Sequence, residues 1–373
     1  MAKIIEANIV PVDSGSHDIP PIVKVLNAHR GERHIIVLHD YPDPDAISAG
    51  FAHKLISTEF AIDTDIYYSG RISHRQNIAM VRLLGINLHH YDASLQLDRY
   101  DGAVFVDHQG ATAETMVQLL EQANIPITFI VDHHEPQDRL KAEFMDVRQN
   151  VGSSATIYTQ YLKQGLIELN KKHKEHVMLS TALIHGIKSD TGEFTRAKVE
   201  DYEAAAYLSQ FSDADLLTQI MSQSRSRQVM EVIRRALGSR IAAQSYSVAS
   251  IGYLRAEDRD AIPQAADFLL SEENIHTAIV YGIVLDDDRG ETLIGSLRTS
   301  RITVDPDALL KQALGKDWAG HYYGGGKQSA GGFEIPIGFL AGTGSEEYKE
   351  LKWKVYDSQI KHRLFTKLGI EQD

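Results

Sequence analysis

The chain contains no cysteine, which excludes disulfides, thiolate metal ligands and cysteine nucleophiles at one stroke. Proline is sparse, at 10 residues in 373, and no apolar run approaches the roughly 20 residues that a membrane-spanning helix needs. The expectation is therefore a protein without a membrane partner. The amino-terminal stretch MAKIIEANIVPVDSGSHDIPP lacks the continuous apolar core of a signal peptide. Together with the missing cysteines it predicts a cytoplasmic location. Positive charge is also short: 38 Lys and Arg stand against 51 Asp and Glu, for a formal net charge of −13. Long, sequence-independent nucleic-acid binding draws its affinity from many Lys and Arg contacts to phosphate, so this balance speaks against it. Any phosphate ligand should be short and held locally.

What the chain does have is length for two cores, since single cores stop growing at roughly 250 residues. Over the first two hundred residues, short β-branched runs alternate with helical patterns, the signature of a parallel sheet flanked by helices. HIIVL (34–38), DIYY (65–68), GAVFV (102–106) and ITFIV (127–131) read as strands. Helices are predicted over 45–59, 77–84, 112–122, 153–164 and 174–188, the last running into Asp190. The fold class is thus α/β: a doubly wound, mainly parallel sheet over 1–200. A helical linker is predicted over 201–240, a smaller α+β domain over 241–345 and a helical tail over 346–373. In the smaller domain HTAIVYGIVL and ETLIGSLRTS flank a DDDRG turn and predict an antiparallel hairpin. A helix over 306–314, a glycine cluster and the strand-like FEIPIGFL follow.

Three of the four strands run into side chains that can hold metal. HIIVL leads to His39, Asp43 and Asp45; GAVFV to Asp107 and His108; ITFIV to Asp132, His133 and His134. In an open α/β sheet the loops beyond the carboxyl ends of the strands converge on one crevice, which would make these groups neighbours. Asp190, at the end of an apolar helix and followed by Thr191 and Gly192, fits a turn into the same place. Hard divalent ions take carboxylate oxygens, and added imidazoles shift preference towards Mn²⁺, Co²⁺ or Zn²⁺. The expected cofactor is a pair of divalent ions, Mn²⁺ first, with Mg²⁺ or Co²⁺ as alternatives. Two ions about 3.5–4 Å apart can share a carboxylate, activate a water and clamp both oxygens of an in-line displacement at phosphorus. Singly, such residues are often helix caps, and Asp45 also fits the N-cap of the helix after it. Four coordinated occurrences favour metal.

These motifs resemble those of the DHH phosphoesterases. His39-x-x-x-Asp43-x-Asp45 matches the family's first motif, Asp107 its second, Asp132-His133-His134 its third and Asp190-Thr191-Gly192 its fourth. The resemblance implies one ion on His39, Asp43 and Asp107 and another on Asp45, Asp107, His133 and Asp190, with Asp107 as the bridge. It implies catalytic roles for Asp107, His134 and Asp132, with His134 facing the substrate phosphate and Asp132 orienting the neighbouring His. The second half resembles the DHH-associated domain of the nanoRNase and 3′-phosphoadenosine-phosphate phosphatase branch. Arg298, Ser300 and Arg301, with Gly324, Gly325 and Gly326, carry that likeness. A guanidinium grips phosphate bidentately, and glycines let backbone N–H groups approach a ligand. The family pattern continues the three glycines with His, where this chain has Lys327, so a base or phosphate contact is altered; His321 is a candidate replacement.

The function expected is hydrolysis of short oligonucleotides, or of 3′-phosphoadenosine phosphate, by two metal ions. A cyclic-dinucleotide phosphodiesterase is the alternative, ahead of an inorganic pyrophosphatase and of a nucleotide-binding protein without turnover. The expected partner is a short nucleotide; a homodimer is left open. Arg71, His74 and Asn77 are further substrate candidates, Arg196 a candidate for phosphate or a surface ion pair. His53, His89, His90 and His108 read as core or surface residues, and His185 fits either role.

Overall fold

The computed structural model describes residues 20–370 apart from 73, 224, 287–289 and 343–344. The stretch read above as lacking a signal peptide lies almost wholly outside them, as does the centre of the DDDRG turn. The chain divides into two compact units, residues 1–223 and 224–373.

The first unit comprises α1 (Pro21–Ala28), β1 (Arg33–Val37), α2 (Pro44–Glu59), β2 (Asp63–Tyr68), α3 (Arg75–Leu83), β3 (Leu88–His90), β4 (Gly102–Val106), α4 (Glu114–Gln122), β5 (Ile127–Asp132), β6 (Phe144–Val147), α5 (Ser154–Lys163), α6 (Lys174–Asp190), α7 (Val199–Leu208) and α8 (Ala214–Met221). Its six strands pair in parallel in the order β3-β2-β1-β4-β5-β6. Both faces of such a sheet are covered, which is why the strands read as continuous apolar runs instead of alternating ones. Ile36, Leu38, Val104, Val106, Phe129 and Val131 pack on one side with α2, α5 and α6. Ile35, Val37, Ala103, Phe105 and Ile130 pack on the other with Met116, Val117 and Leu120 of α4. The order of the strands reverses direction between β1 and β4, and a crevice opens at such a switch point beyond the carboxyl ends.

The second unit comprises α9 (Arg227–Ser239), β7 (Ile241–Ala243), β8 (Tyr246–Arg255), α10 (Ala261–Leu270), β9 (Thr277–Asp286), β10 (Gly290–Thr299), α11 (Pro306–Leu314), β11 (Gly324–Lys327), β12 (Ala330–Pro336) and α12 (Glu346–Leu368). The sheet runs β11-β12-β10-β9-β8-β7; only β8 and β9 pair in parallel. The hairpin predicted from HTAIVYGIVL and ETLIGSLRTS is β9 and β10, in antiparallel register from Thr277 with Thr299 to Asp286 with Gly290. One face packs on α11 and α12, the other on α9 and α10.

Two expected boundaries shift. The helices of 201–240 form no separate linker: Leu208 of α7 and Ile220 of α8 are buried in the first unit's core, whereas Val232, Ile233 and Ala236 of α9 belong to the second. The carboxyl-terminal helix is no tail either. Ile360, Leu364 and Phe365 are buried in the second unit, and Lys352 is buried in an ion pair with Glu291 while also donating to Leu340 O at 3.2 Å. A buried ammonium needs such partners, since unpaired it costs several kcal/mol. No helix among the described residues is long and apolar enough to cross a membrane.

Glycine makes room at one tight spot in this sheet. A Cβ on Gly295 of β10 would collide with the ring of Phe333 on β12, which is itself 2% exposed. Gly295→Ala should therefore destabilise the second unit by about 1–3 kcal/mol, the usual cost of overpacking a core. Replacing Phe333 by Leu in the same chain should recover part of it. Thermal melts of the single and double variants check this; an unchanged midpoint for Gly295→Ala would mean that the ring can move freely.

Candidate metal centre

Each candidate ligand is brought to the β1/β4 switch point by a different local device. After β1 the chain turns through Asp43, whose side chain caps α2 by accepting from Ala46 N–H at 3.0 Å. The cap is thus Asp43, not Asp45. Asn77 of α3 steadies the same turn by donating to Pro42 O at 3.2 Å. Asp45, the second residue of α2, is wholly buried and points at the start of α5, where Ser154 N–H and Ala155 N–H each donate to one of its oxygens at 2.7 Å. A helix amino terminus is where a buried carboxylate is best tolerated, because free N–H groups and the positive end of the dipole meet there.

Asp107 leaves β4 with φ +65°, a left-handed conformation that costs a non-glycine residue roughly 1–3 kcal/mol and persists only where surroundings impose it. Its carboxylate accepts from Ser154 Oγ at 2.9 Å. At the end of β5, Asp132 accepts from His133 N–H at 2.8 Å, from His134 Nδ1 at 2.8 Å and from Gln109 Nε2 at 2.7 Å. Gln109 also accepts from Gln137 N–H at 2.7 Å, so it locks the DHH loop to the β4 loop. Asp190 reaches the group because α6 packs closely on α2: a Cβ on Gly186 would collide with Ser48 Oγ and sit 3.1 Å from Pro44 O.

The result is two overlapping sets of donor atoms. His39 Nε2 lies 3.9 Å from Asp43 Oδ1 and 4.0 Å from Asp107 Oδ2. His133 Nε2 lies 3.9 Å from Asp45 Oδ2, 3.5 Å from Asp107 Oδ1 and 3.0 Å from Asp190 Oδ2. The two oxygens of Asp107 thus face different imidazoles. Groups of this composition and spacing can hold metal: His39, Asp43 and Asp107 in one, Asp45, His133 and Asp190 in the other. His133 Nε2 is buried, and its 3.0 Å approach to Asp190 Oδ2 is not a well-aligned hydrogen bond; a buried polar atom left so asks for an explanation. A divalent cation fits it, and the oxygen-rich set with one imidazole on each side fits Mn²⁺ or a related ion.

Electrostatics point the same way. Burial, then the charges of Asp45, Asp43 and Asp190, push the Asp107 carboxyl well above the usual carboxylate range. Burial and Asp190 raise Asp45 to about 7. Burial opposes charge on His133, but the Asp190 contact and the carboxylates of Asp45 and Asp132 outweigh it and hold that imidazole up to about 9. Asp132 differs: burial opposes its charge, but its bonds from His134 and Gln109 draw it down to about 2. It therefore stays an anion that orients its neighbours, while the cluster around Asp107 is short of positive charge.

The remaining candidates divide. Gln109 and Ser154 escaped the sequence reading; a buried glutamine after a strand and a serine opening a helix carry no signal of their own. His108 is structural, buried between Val37 O and Gly110 N–H at 3.1 and 3.2 Å. His53 is buried against Tyr158 Oη at 2.9 Å, and His89 stacks on Tyr67. His185 is 4% exposed with neither ring nitrogen partnered. Among the described residues Arg196 pairs with no carboxylate; it contacts Asp190 O at 3.5 Å. Arg71 lines a cavity of about 460 Å³ with Arg82, His90 and Tyr68, and His74 precedes α3 at its N-cap.

In the second unit Arg298 and Lys327 both stand opposite Ala330 across adjacent strands, which sets them on one face of the sheet. Arg298 bonds Asp267 at 2.9 Å and Ser296 Oγ at 2.8 Å. Arg301 reaches His276 at 3.0 Å, and Ser300 N–H donates to His276 O at 2.9 Å. His321 is exposed, 3.6 Å from Asp317. Gly324, Gly325 and Gly326 form no open loop. They are strand β11, and a Cβ on Gly324 or Gly326 would press on Phe333, Leu310 or Pro306. Their first role is close packing on α11.

Residues 34–187 match the model of the DHH family, N-terminal domain. The first unit belongs to the DHH family. The chain is 36% identical over 342 residues, 91% of its length, to an uncharacterized protein of Methanocaldococcus jannaschii, and spans 65% of that longer protein. In fold it is similar to an exopolyphosphatase-related protein from Bacteroides fragilis, with a TM-score of 0.64 at 17% identity, covering 91% of this chain and 96% of that one. A looser likeness, TM-score 0.46 at 12% identity over 91% and 92% of the two chains, is to the exonuclease RecJ bound to manganese.

Metal binding must displace protons here. In the metal-free DHH unit His133 is charged below about pH 9 and Asp107 holds a proton well above the usual range. Affinity for Mn²⁺ should therefore rise with pH from 6 to 9, and calorimetry in buffers of different ionisation heat should find at least one proton released per chain at pH 7.5. Affinity independent of pH would contradict this arrangement of donors.

Proposed function

We propose that the protein is a two-metal phosphoesterase acting on short nucleotides, removing residues from oligomers of about two to five or the phosphate of a 3′-phosphoadenosine nucleotide. The observation that carries the reading is Asp107, with one oxygen facing the His39 set and the other the His133 set. Two divalent ions held there would supply the Lewis acidity that activates water and offsets charge on a phosphate. His39 and Asp43 would hold one, Asp45, His133 and Asp190 the other. Asp132 takes the Nδ1 side of His134, so Nε2 is the atom left to meet a phosphate oxygen or to give a proton to the leaving oxygen. His134 has half of its side chain exposed, as a group that meets substrate requires. On the second unit, the face bearing Arg298 and Lys327 includes exposed Gly332, a flat surface that would suit a nucleotide held by its phosphate. With a net charge of −13, extra nucleotides on the substrate would gain few contacts.

A turnover panel with Mn²⁺ tests this: dinucleotides, longer oligonucleotides up to a twenty-mer, 3′-phosphoadenosine phosphate, cyclic dinucleotides and pyrophosphate. Cutting should be fastest at two to a few nucleotides. Asp107→Asn should lower kcat by about a hundredfold or more, the scale of losing a group that stabilises transition-state charge. Arg298→Ala should instead raise KM for dinucleotides with little effect on a generic small phosphodiester, since loss of one phosphate partner costs about 2–5 kcal/mol when buried. Faster cutting of the twenty-mer, or normal kcat for Asp107→Asn, would overturn the reading.

A further inference from the structure

Far from the DHH residues along the strands, at the amino-terminal end of β1, three side chains within six residues converge. His29 follows α1, and Glu32 and His34 flank the first residue of β1. His29 Nδ1 lies 2.7 Å from Glu32 Oε2, and His34 Nε2 lies 2.9 Å from the same oxygen. Their ring centroids are 5.2 Å apart, and the donor atoms of all three residues lie close enough together to hold an ion. We propose that His29 Nδ1, His34 Nε2 and the Glu32 carboxylate form a second metal site, separate from the Asp107 centre, for a zinc-class divalent ion.

Three features of the surroundings support it. The first is Glu143, just ahead of β6, which lies 2.9 Å from His29 Nε2. A carboxylate on the outer nitrogen of an imidazole fixes the proton there and turns the other nitrogen's lone pair inward, the usual support of a metal-bound histidine. With Nε2–H given to Glu143, a neutral His29 would set a lone pair against Glu32 Oε2, and a cation between them removes that conflict. The second is His34, which is wholly buried, with Nδ1 unpartnered among the described residues. Burying an imidazole with one nitrogen unpaired costs free energy, and a metal bond at Nε2 would offset that cost. Room for it comes from Gly102, whose Cβ would sit 3.0 Å from His34 Nε2. The third is charge: among the described residues no Lys or Arg pairs with Glu32 or Glu143, whose carboxylates bond only to these imidazoles.

The donor set selects the ion. Two imidazoles and one carboxylate suit Zn²⁺, Co²⁺ or Ni²⁺ better than Mn²⁺, whereas the Asp107 cluster is dominated by oxygen. Ligand bonds of about 2.0–2.2 Å around a tetrahedral ion separate donors by roughly 3.3–3.5 Å. Glu32 must withdraw by about half an ångström, and its side chain, 34% exposed, is free to do so while leaving the fourth position to water. The ion would tie the α1–β1 turn, through Glu143, to the start of β6 across the sheet's amino-terminal edge.

Zinc titration of the metal-stripped full chain, read as ions retained per chain after gel filtration, tests the site. The wild type should retain one ion more than Glu32→Gln or His29→Gln, whatever number the Asp107 centre holds. Both variants should keep Mn²⁺-dependent turnover, which separates loss of this site from loss of the fold. Glu143→Gln, an exposed change, should keep the extra ion but weaken it by about 10–100-fold, as loss of a supporting carboxylate does elsewhere. A tetrahedral Co²⁺ absorption should accompany the extra ion and vanish with Glu32→Gln. Equal zinc content in wild type and both ligand variants would overturn the proposal, leaving the cluster a hydrogen-bonded network.

Discussion

Mutual repulsion among the carboxylates of Asp43, Asp45, Asp107 and Asp190, only partly answered by His39 and His133, is the constraint around which the first unit is arranged. Asp107 and Asp45 are buried to 3% and 0% exposure, where an uncompensated anion costs several kcal/mol. The fold answers it piecemeal. The start of α5 takes both oxygens of Asp45, and Ser154 Oγ takes one of Asp107. Part of the charge is left to be neutralised by protons, which is why Asp107 is pushed up, or by metal.

Geometry is stored in the same places. Asp107 at φ +65° and the tight contact of Gly186 with Ser48 are local costs borne by a well-packed three-layer core. Strain of this kind clusters where surrounding structure can over-determine it. Asp132, drawn down to about 2 by His134 and Gln109, is the opposite case: a stable anion whose work is to aim other groups. Two carboxylates 25 residues apart thus play different parts because one is short of donors and the other is rich in them.

The strands of the parallel sheet and the groups at their ends were legible in the sequence because burial on both faces gives unbroken apolar runs, and His and Asp stand out at their ends. The ligand sets came only from the family resemblance, yet the structure brings the same residues together. Short edge strands β3 and β6, and α1, gave no such pattern. Gln109 and Ser154 were invisible because their importance lies in partners 23 and 47 residues away. The glycines of 324–326 are ambiguous in sequence for a physical reason: close packing of β11 on α11 and close approach to a ligand demand the same residue. The helices of 201–240 looked like a linker because their apolar faces do not say which core they will join.

The most direct test of the central claim is the electron paramagnetic resonance spectrum of the chain loaded with Mn²⁺, taken with its metal content. Two ions sharing the oxygens of Asp107 should give close to two Mn²⁺ per chain in the DHH centre and a spin-coupled spectrum, replaced in Asp107→Asn by the signal of isolated ions or by none. A single Mn²⁺ per chain, or two that remain magnetically independent in the wild type, would contradict a shared carboxylate at this site.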